Sequence, residues 1–163
     1  MLTELEPLDI QAMGREEAEA LWARIKDQEL AFDDYTRGRG DLFASRLCSL
    51  DAMAFDLPEG LVLAEHIVPK LSAELHFFIW PKVTEQQAVE RGRDVVRYLF
   101  ERVPVHRINA FIPAYHKVAQ RIALRVGFKF EGAIREQTKV KGAYHDVNVF
   151  GILEQEFRLL RWR

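Results

Sequence analysis

The stretch Val105–Leu153, VHRINAFIPAYHKVAQRIALRVGFKFEGAIREQTKVKGAYHDVNVFGIL, decides the fold. Ile108, Ala110 and Ile112 alternate on one face, the period of a half-buried strand. A helix follows, in which Val118, Ile122 and Val126 build one apolar stripe, and Gly127 stands where a left-handed C-cap would end it. Phe128 and Phe130 alternate into the next strand, and the region Gly142-Ala143-Tyr144 turns the chain back into another.

Upstream, a helix runs from about Glu85 to Arg102, with Ala88, Gly92, Val95, Val96, Leu99 and Phe100 on its buried face. Glycine inside a helix is worse than alanine by roughly 1 kcal/mol, so Gly92 on that face marks a close approach to the sheet. Before it lies the strand Ala73–Trp80, and strand, helix, strand then form one crossover whose two strands are parallel. Pro58-Glu59-Gly60 is a hairpin signal between strands Ala52–Leu57 and Leu61–Val68. Further back come a helix over Glu16–Ile25, a polar loop over Phe32–Gly40 and a short helix N-capped by Asp41 and reaching Leu47. Leu2–Ile10 alternates like a first strand. The tail Glu154–Arg163 reads as a strand extension or a docked tail; its apolar Phe157, Leu159, Leu160 and Trp162 offer a surface for a partner or a homodimer.

With 163 residues the chain is one domain, 1–163, large enough for its own core. A formal net charge of -2 argues against a surface built to grip nucleic acid or anionic membrane, and Arg158, Arg161 and Arg163 beside Trp162 do not change that balance. Cys48, the single cysteine, has no disulfide partner within the chain. No stretch is long enough to span a bilayer and the N-terminus lacks a signal-peptide layout, so a cytoplasmic protein is expected. No histidine, cysteine or carboxylate spacing matches a dedicated metal site, and no metal is expected.

The motifs Arg107-Ile108-Asn109-Ala110, Gly127-Phe128-Lys129-Phe130-Glu131-Gly132, Arg135, and Gly142, Tyr144, Asp146 and Phe150 occur in an order that resembles the GNAT acyltransferases, in particular the branch that acetylates ribosomal-protein N-termini. The resemblance implies an α/β (α+β) GNAT fold: a mixed, mostly antiparallel twisted sheet of about six or seven strands, flanked by about four helices, with a splayed parallel pair at 73–80 and 105–112. It also implies acetyl-CoA as co-substrate, lying where those strands part, with its pyrophosphate on the N-terminus of the intervening helix.

The family's Gly-x-Gly loop would fall near Thr84 and Gln86, yet the run from Pro81 to Gln87 contains no glycine. Thr84 and Gln87 have the spacing of a capping box, and Glu85 adds a negative charge. Two readings stand: simple helix capping, or a pyrophosphate loop using Lys82, Gln86 and Gln87, assisted by Arg91 and Arg93 unless these are solvated. On the second helix His116 replaces the family's usual asparagine and Ala119 its serine. Arg121 matches a commonly basic position, and Lys117 with Arg121 is suited to the 3′-phosphate of CoA.

For the chemistry, the resemblance assigns main-chain N–H donors near Phe78, Ile79 and Trp80. The family's general-acid tyrosine is replaced by Ala123, leaving Tyr115 as a substitute. Glu74 and His76, two apart on one strand, point the same way and form the best acid–base pair in the chain; otherwise they stand on a polar sheet face or bond across to His66. The expected activity is transfer of acetyl from acetyl-CoA to a primary amine by direct attack in a ternary complex. The alternative is a GNAT-fold module that has lost cofactor binding.

Overall fold

A computed structural model describes residues 5–160. Six strands and five helices follow one another as α1 (Arg15–Ile25), α2 (Gly40–Leu47), β1 (Met53–Leu57), β2 (Gly60–Val68), β3 (Ser72–Ile79), α3 (Glu85–Arg102), β4 (Arg107–Pro113), α4 (Lys117–Val126), β5 (Lys129–Val140), β6 (Ala143–Leu153) and α5 (Glu154–Leu159). The strands form one sheet in the order β1-β2-β3-β4-β6-β5, parallel at β3–β4 and antiparallel elsewhere. Ala73, Ile108, Phe150 and Ile152 turn to one face, where Val95, Leu99, Ile122 and Val126 of α3 and α4 cover them. Leu61, Leu63 and Phe78 turn to the other, under Leu21 and Ile25 of α1 and Phe43 and Leu47 of α2. Among the described residues no helix is long and apolar enough to cross a membrane.

Several sequence expectations need correction. The strand expected at Leu2–Ile10 lies partly outside the described residues, and its remainder is irregular; Leu8 donates to the Ala54 carbonyl at 2.8 Å, so this segment runs beside β1. Asp41 does not cap α2, because its carboxylate is taken by Arg39 at 2.6 and 2.8 Å. Val118 is half exposed, so the apolar stripe of α4 narrows to Ile122, Ala123 and Val126. Phe130 is likewise exposed, edge-on to Phe150. Gly92 closely approaches not the sheet but α4: a Cβ there would stand 2.9 Å from Val126 Cγ2.

The tail is a docked helix rather than a strand extension. Phe157 stacks on Phe100 at 5.0 Å, and Leu160 sits so near Gly127 that a Cβ on that glycine would meet it at 2.6 Å. Trp162, Arg161 and Arg163 lie outside the described residues. The β5–β6 hairpin closes through Lys141 (φ 50) and Gly142 (φ 80), two positive values in succession as a two-residue primed turn requires.

Candidate active site

β3 and β4 pair at only three positions, Ser72↔Arg107, Ala73↔Ile108 and Glu74↔Asn109. Both strands then continue, each held by its other neighbour, while the space between them opens. The opening is a cavity of about 570 Å³, walled on one side by Phe77, Ile79, Ala110, Ile122 and Ala123. Its other side carries polar groups: Gln28, Asp33 and Thr36 from the loop after α1, Arg46 of α2, His76 of β3 and Thr138 of β5.

The register decides which backbone groups face this opening. Leu71 O accepts from Arg107 N at 3.1 Å, whereas Trp80 N donates to Glu59 O at 3.0 Å, on the β2 side. Strand alternation then directs the N–H groups of Phe78 and Trp80 toward β2, and those of Phe77 and Ile79 toward the gap, where β4 no longer pairs. Ile79 is thus shared with the sequence expectation, Phe77 was missed, and Phe78 contributes its side chain to the cavity wall instead. The Trp80 indole is engaged elsewhere, donating to Leu57 O at 3.0 Å beneath the Arg24 guanidinium.

Glu74 and His76 do share a face, but their partners separate them. Glu74 lies at the closed end of the pair and meets His66 Nδ1 at 3.1 Å, which draws the His66 pKa upward. His76 lines the cavity. Its Nε2 is 2.9 Å from Glu65 Oε1 but out of line with the N–H, a close contact rather than an aligned hydrogen bond. Glu65 is buried and is also gripped by both Arg46 nitrogens, Nε at 2.9 Å and Nη2 closer still. Burial pushes the Glu65 carboxyl up, and the His76 and Arg46 contacts outweigh it, leaving a value of about 2. Ligand atoms of Glu65, His66 and Glu74 lie within 4.8 Å of one another, with Glu65 bound to Arg46 and Glu74 to His66.

The N-terminus of α3 satisfies its own donors. Thr84 N donates to Gln87 Oε1 at 2.9 Å and Gln87 N to Thr84 Oγ1 at 3.2 Å. Glu85 takes Arg121 at 3.1 Å and Arg125 at 3.2 Å, and Arg125 also holds Gln86. Lys82 is exposed with φ 74. Arg91 and Arg93 are not merely solvated: Arg91 forks onto Glu59 at 2.7 and 3.1 Å, and Arg93 reaches the Arg125 carbonyl at 2.8 Å.

At the start of α4, His116 acts as the cap, its Nδ1 accepting from Ala119 N at 3.3 Å. Burial pushes its pKa down, which favours the neutral ring that this role needs. Ala119 lines the cavity, while Lys117 is exposed. Tyr115 also lines it, packed edge-on to His145 at 5.0 Å, and burial raises its pKa, with Asp33 adding to the effect. The loop over Gln28–Thr36 is fastened by Asp34 N to Lys139 O (2.7 Å), by Lys141 N and Gly142 N to Asp34 (2.7 and 2.9 Å), and by Thr138 to Asp33 (3.2 Å). Asp146 is structural, taking Glu136 N at 2.9 Å where β5 bulges.

A six-stranded sheet whose single parallel pair parts in mid-strand defines the GNAT fold. Spermidine N-acetyltransferase from Vibrio cholerae, solved in complex with CoA and spermine, matches with a TM-score of 0.72 over 90% of this chain and 95% of that one, at 19% identity. A probable acetyltransferase of the GNAT family from Chromobacterium violaceum matches with a TM-score of 0.69 over 94% of this chain and 84% of that one, at 22% identity. At such identities the likeness is one of fold. By sequence, the prophage-derived uncharacterized N-acetyltransferase YokL of Bacillus subtilis is 31% identical over 65 residues, which are 40% of this chain and 37% of the relative. The probable N-acetyltransferase YjcK of the same organism is 33% identical over 67 residues, 41% of this chain and 37% of the relative. The matches thus span little more than a third of these curated relatives. No family model matches the chain.

Proposed function

We propose that the protein is an N-acetyltransferase moving acetyl from acetyl-CoA to a primary amine, whether a protein N-terminus, a lysine or a small-molecule amine, by direct attack in a ternary complex. The observation that carries this reading is the unpaired half of β3, which leaves main-chain donors facing a cavity between two parallel strands. Phe77 N–H and Ile79 N–H are suited to the oxygen on which negative charge develops. Apolar walls from Ile122 and Ala123 fit a pantetheine arm, and Lys117 and Arg121 of α4, with Lys82, Gln86 and Gln87, are the groups we assign to the phosphates.

When bound, acetyl-CoA supplies the activated acetyl group. His76 is our choice to take a proton from the incoming amine, because it lines the cavity, with Glu74 as the other candidate on the same strand face. Tyr115, whose pKa burial raises further, is assigned to return a proton to the leaving sulfur. The CoA and spermine in the Vibrio cholerae structure make a polyamine the first acceptor to try. We assign the cytoplasm as compartment, since the reaction draws on acetyl-CoA, and leave exposed Leu159 of α5 as the contact a homodimer would use.

A second reading, a GNAT-fold module without catalysis, is favoured by the self-capped α3 and by Glu85 occupying Arg121 and Arg125. Calorimetry with acetyl-CoA, followed by thiol release with spermidine and peptide amines, separates the two. The enzyme reading predicts binding and amine-dependent CoA release. Absence of binding at about 1 mM, the upper end of ordinary KM values, would leave only the module.

A further inference from the structure

Among the described residues Glu65 is the one buried charged side chain, 4% exposed. A carboxylate in that position is tolerated only when paired. Arg46 alone meets that requirement through its two-pronged contact, tying α2 to β2. A purely structural pair would be complete at this point. Yet Oε1 also faces His76 Nε2, one strand over and displaced along it, since Glu65 stands opposite Glu74 in the β2–β3 register. Directly after Glu65 the register of β2 slips and His66 adopts φ 49, a bulge of the kind that re-aims a neighbouring side chain. His76 Nε2 is enclosed, while the ring keeps 27% of its surface open and lines the cavity, which leaves Nδ1 as the ring nitrogen for an acceptor to reach.

We propose that Glu65, anchored by Arg46, is a positioning residue that holds His76 with Nδ1 toward the cavity, so that this imidazole accepts the proton of the acceptor ammonium. The proposal rests on the acetyltransferase reading and selects His76 over Glu74. In the step itself one N–H bond of the ammonium breaks and its proton passes to Nδ1. The electron pair stays on the amine nitrogen for attack. The imidazolium so formed carries its Nε2–H against the Glu65 carboxylate and later yields its proton to water. Charged groups facing the ring are Glu65 from β2, with Arg46 of α2 behind it, and Glu74 two residues back on β3, itself paired to His66.

The test reads the pairing and the kinetics separately. Histidine-selective nitrogen NMR, with the His76 signals assigned from His76→Gln, should show the Nε2–H tautomer in the wild type and a larger share of the Nδ1–H tautomer in Glu65→Gln. Glu65→Gln should lower kcat about 100-fold with KM for acetyl-CoA unchanged, and the double variant Glu65→Gln/His76→Gln should be no slower than His76→Gln alone. Should Glu65→Gln not fold, Glu65→Asp keeps the charge, draws it back from the ring and reads the same tautomer signals. An unchanged His76 tautomer, or kinetic losses that multiply in the double variant, would overturn the proposal. If the wild type turns over no amine, the functional reading fails on its own while the tautomer signals still decide the pairing.

Discussion

Glu85 answers to two neighbours at once. In the first turn of α3 it complements the helix dipole, and it draws both Arg121 and Arg125 across from α4. Its carboxyl is held below the usual range, first by the Arg121 hydrogen bond and then by that of Arg125. A phosphate arriving at these arginines must displace that carboxylate. Glu85→Gln is therefore expected to tighten acetyl-CoA binding and Arg121→Ala to weaken it, both read by calorimetry; unchanged affinity in both would remove α4 from phosphate binding. Glu65 gives a prediction about acidity. Its folded value of about 2 lies below the unfolded value near 4.3, so its pairing stabilises the fold above that pH and is lost as pH falls toward 2. The Tm gap between wild type and Glu65→Gln should be present at neutral pH and shrink below about pH 4. At this scale the sequence was only partly legible. His76 stood out by its spacing from Glu74, but its partner Glu65 lies on another strand, two positions out of register, where no local pattern announces it. The donor expectation spanned Phe78, Ile79 and Trp80 without distinguishing them, because backbone direction depends on which neighbour pairs with β3.

Element boundaries were more readable, because they follow from period and punctuation. The capping box at Thr84 and Gln87 starts α3, and Gly127, at φ 123, ends α4. Docking partners were not readable in the same way. Gly92 signals that something comes close, yet only the assembled layers show that it is Val126 of the neighbouring helix. Val126 is β-branched and stiff in a helix, so it cannot easily swing aside. Gly92→Ala gains about 1 kcal/mol of helix propensity but meets an overpacking cost of about 1–3 kcal/mol, and a net loss of stability is expected. Chemical denaturation should show that loss, with Val126→Ala less damaging in the Gly92→Ala background than in the wild type. Full additivity of the two changes would mean that the helices do not meet there.

Across the whole molecule, the two halves of the cavity come from opposite faces of the sheet. One wall is apolar and backed by α3 and α4, whereas the other is polar and closed by the Gln28–Thr36 loop, which the β5–β6 hairpin holds in place. That division suits an acyl donor arriving from one side and an amine from the other. The family resemblance carried by the late motif from Arg107 to Phe150 made a mostly antiparallel sheet with one parallel pair, β3 and β4, expected from sequence. The polar wall escaped, because Arg46, Asp33 and Thr138 lie on three distant segments without any shared spacing. Titration calorimetry of acetyl-CoA against the wild type and Ala119→Phe, which sets a ring into the cavity from α4, tests the parted strands most directly. Saturable binding by the wild type, lost in a folded Ala119→Phe, is the predicted result. No binding by the wild type, or equal binding by both, would contradict it.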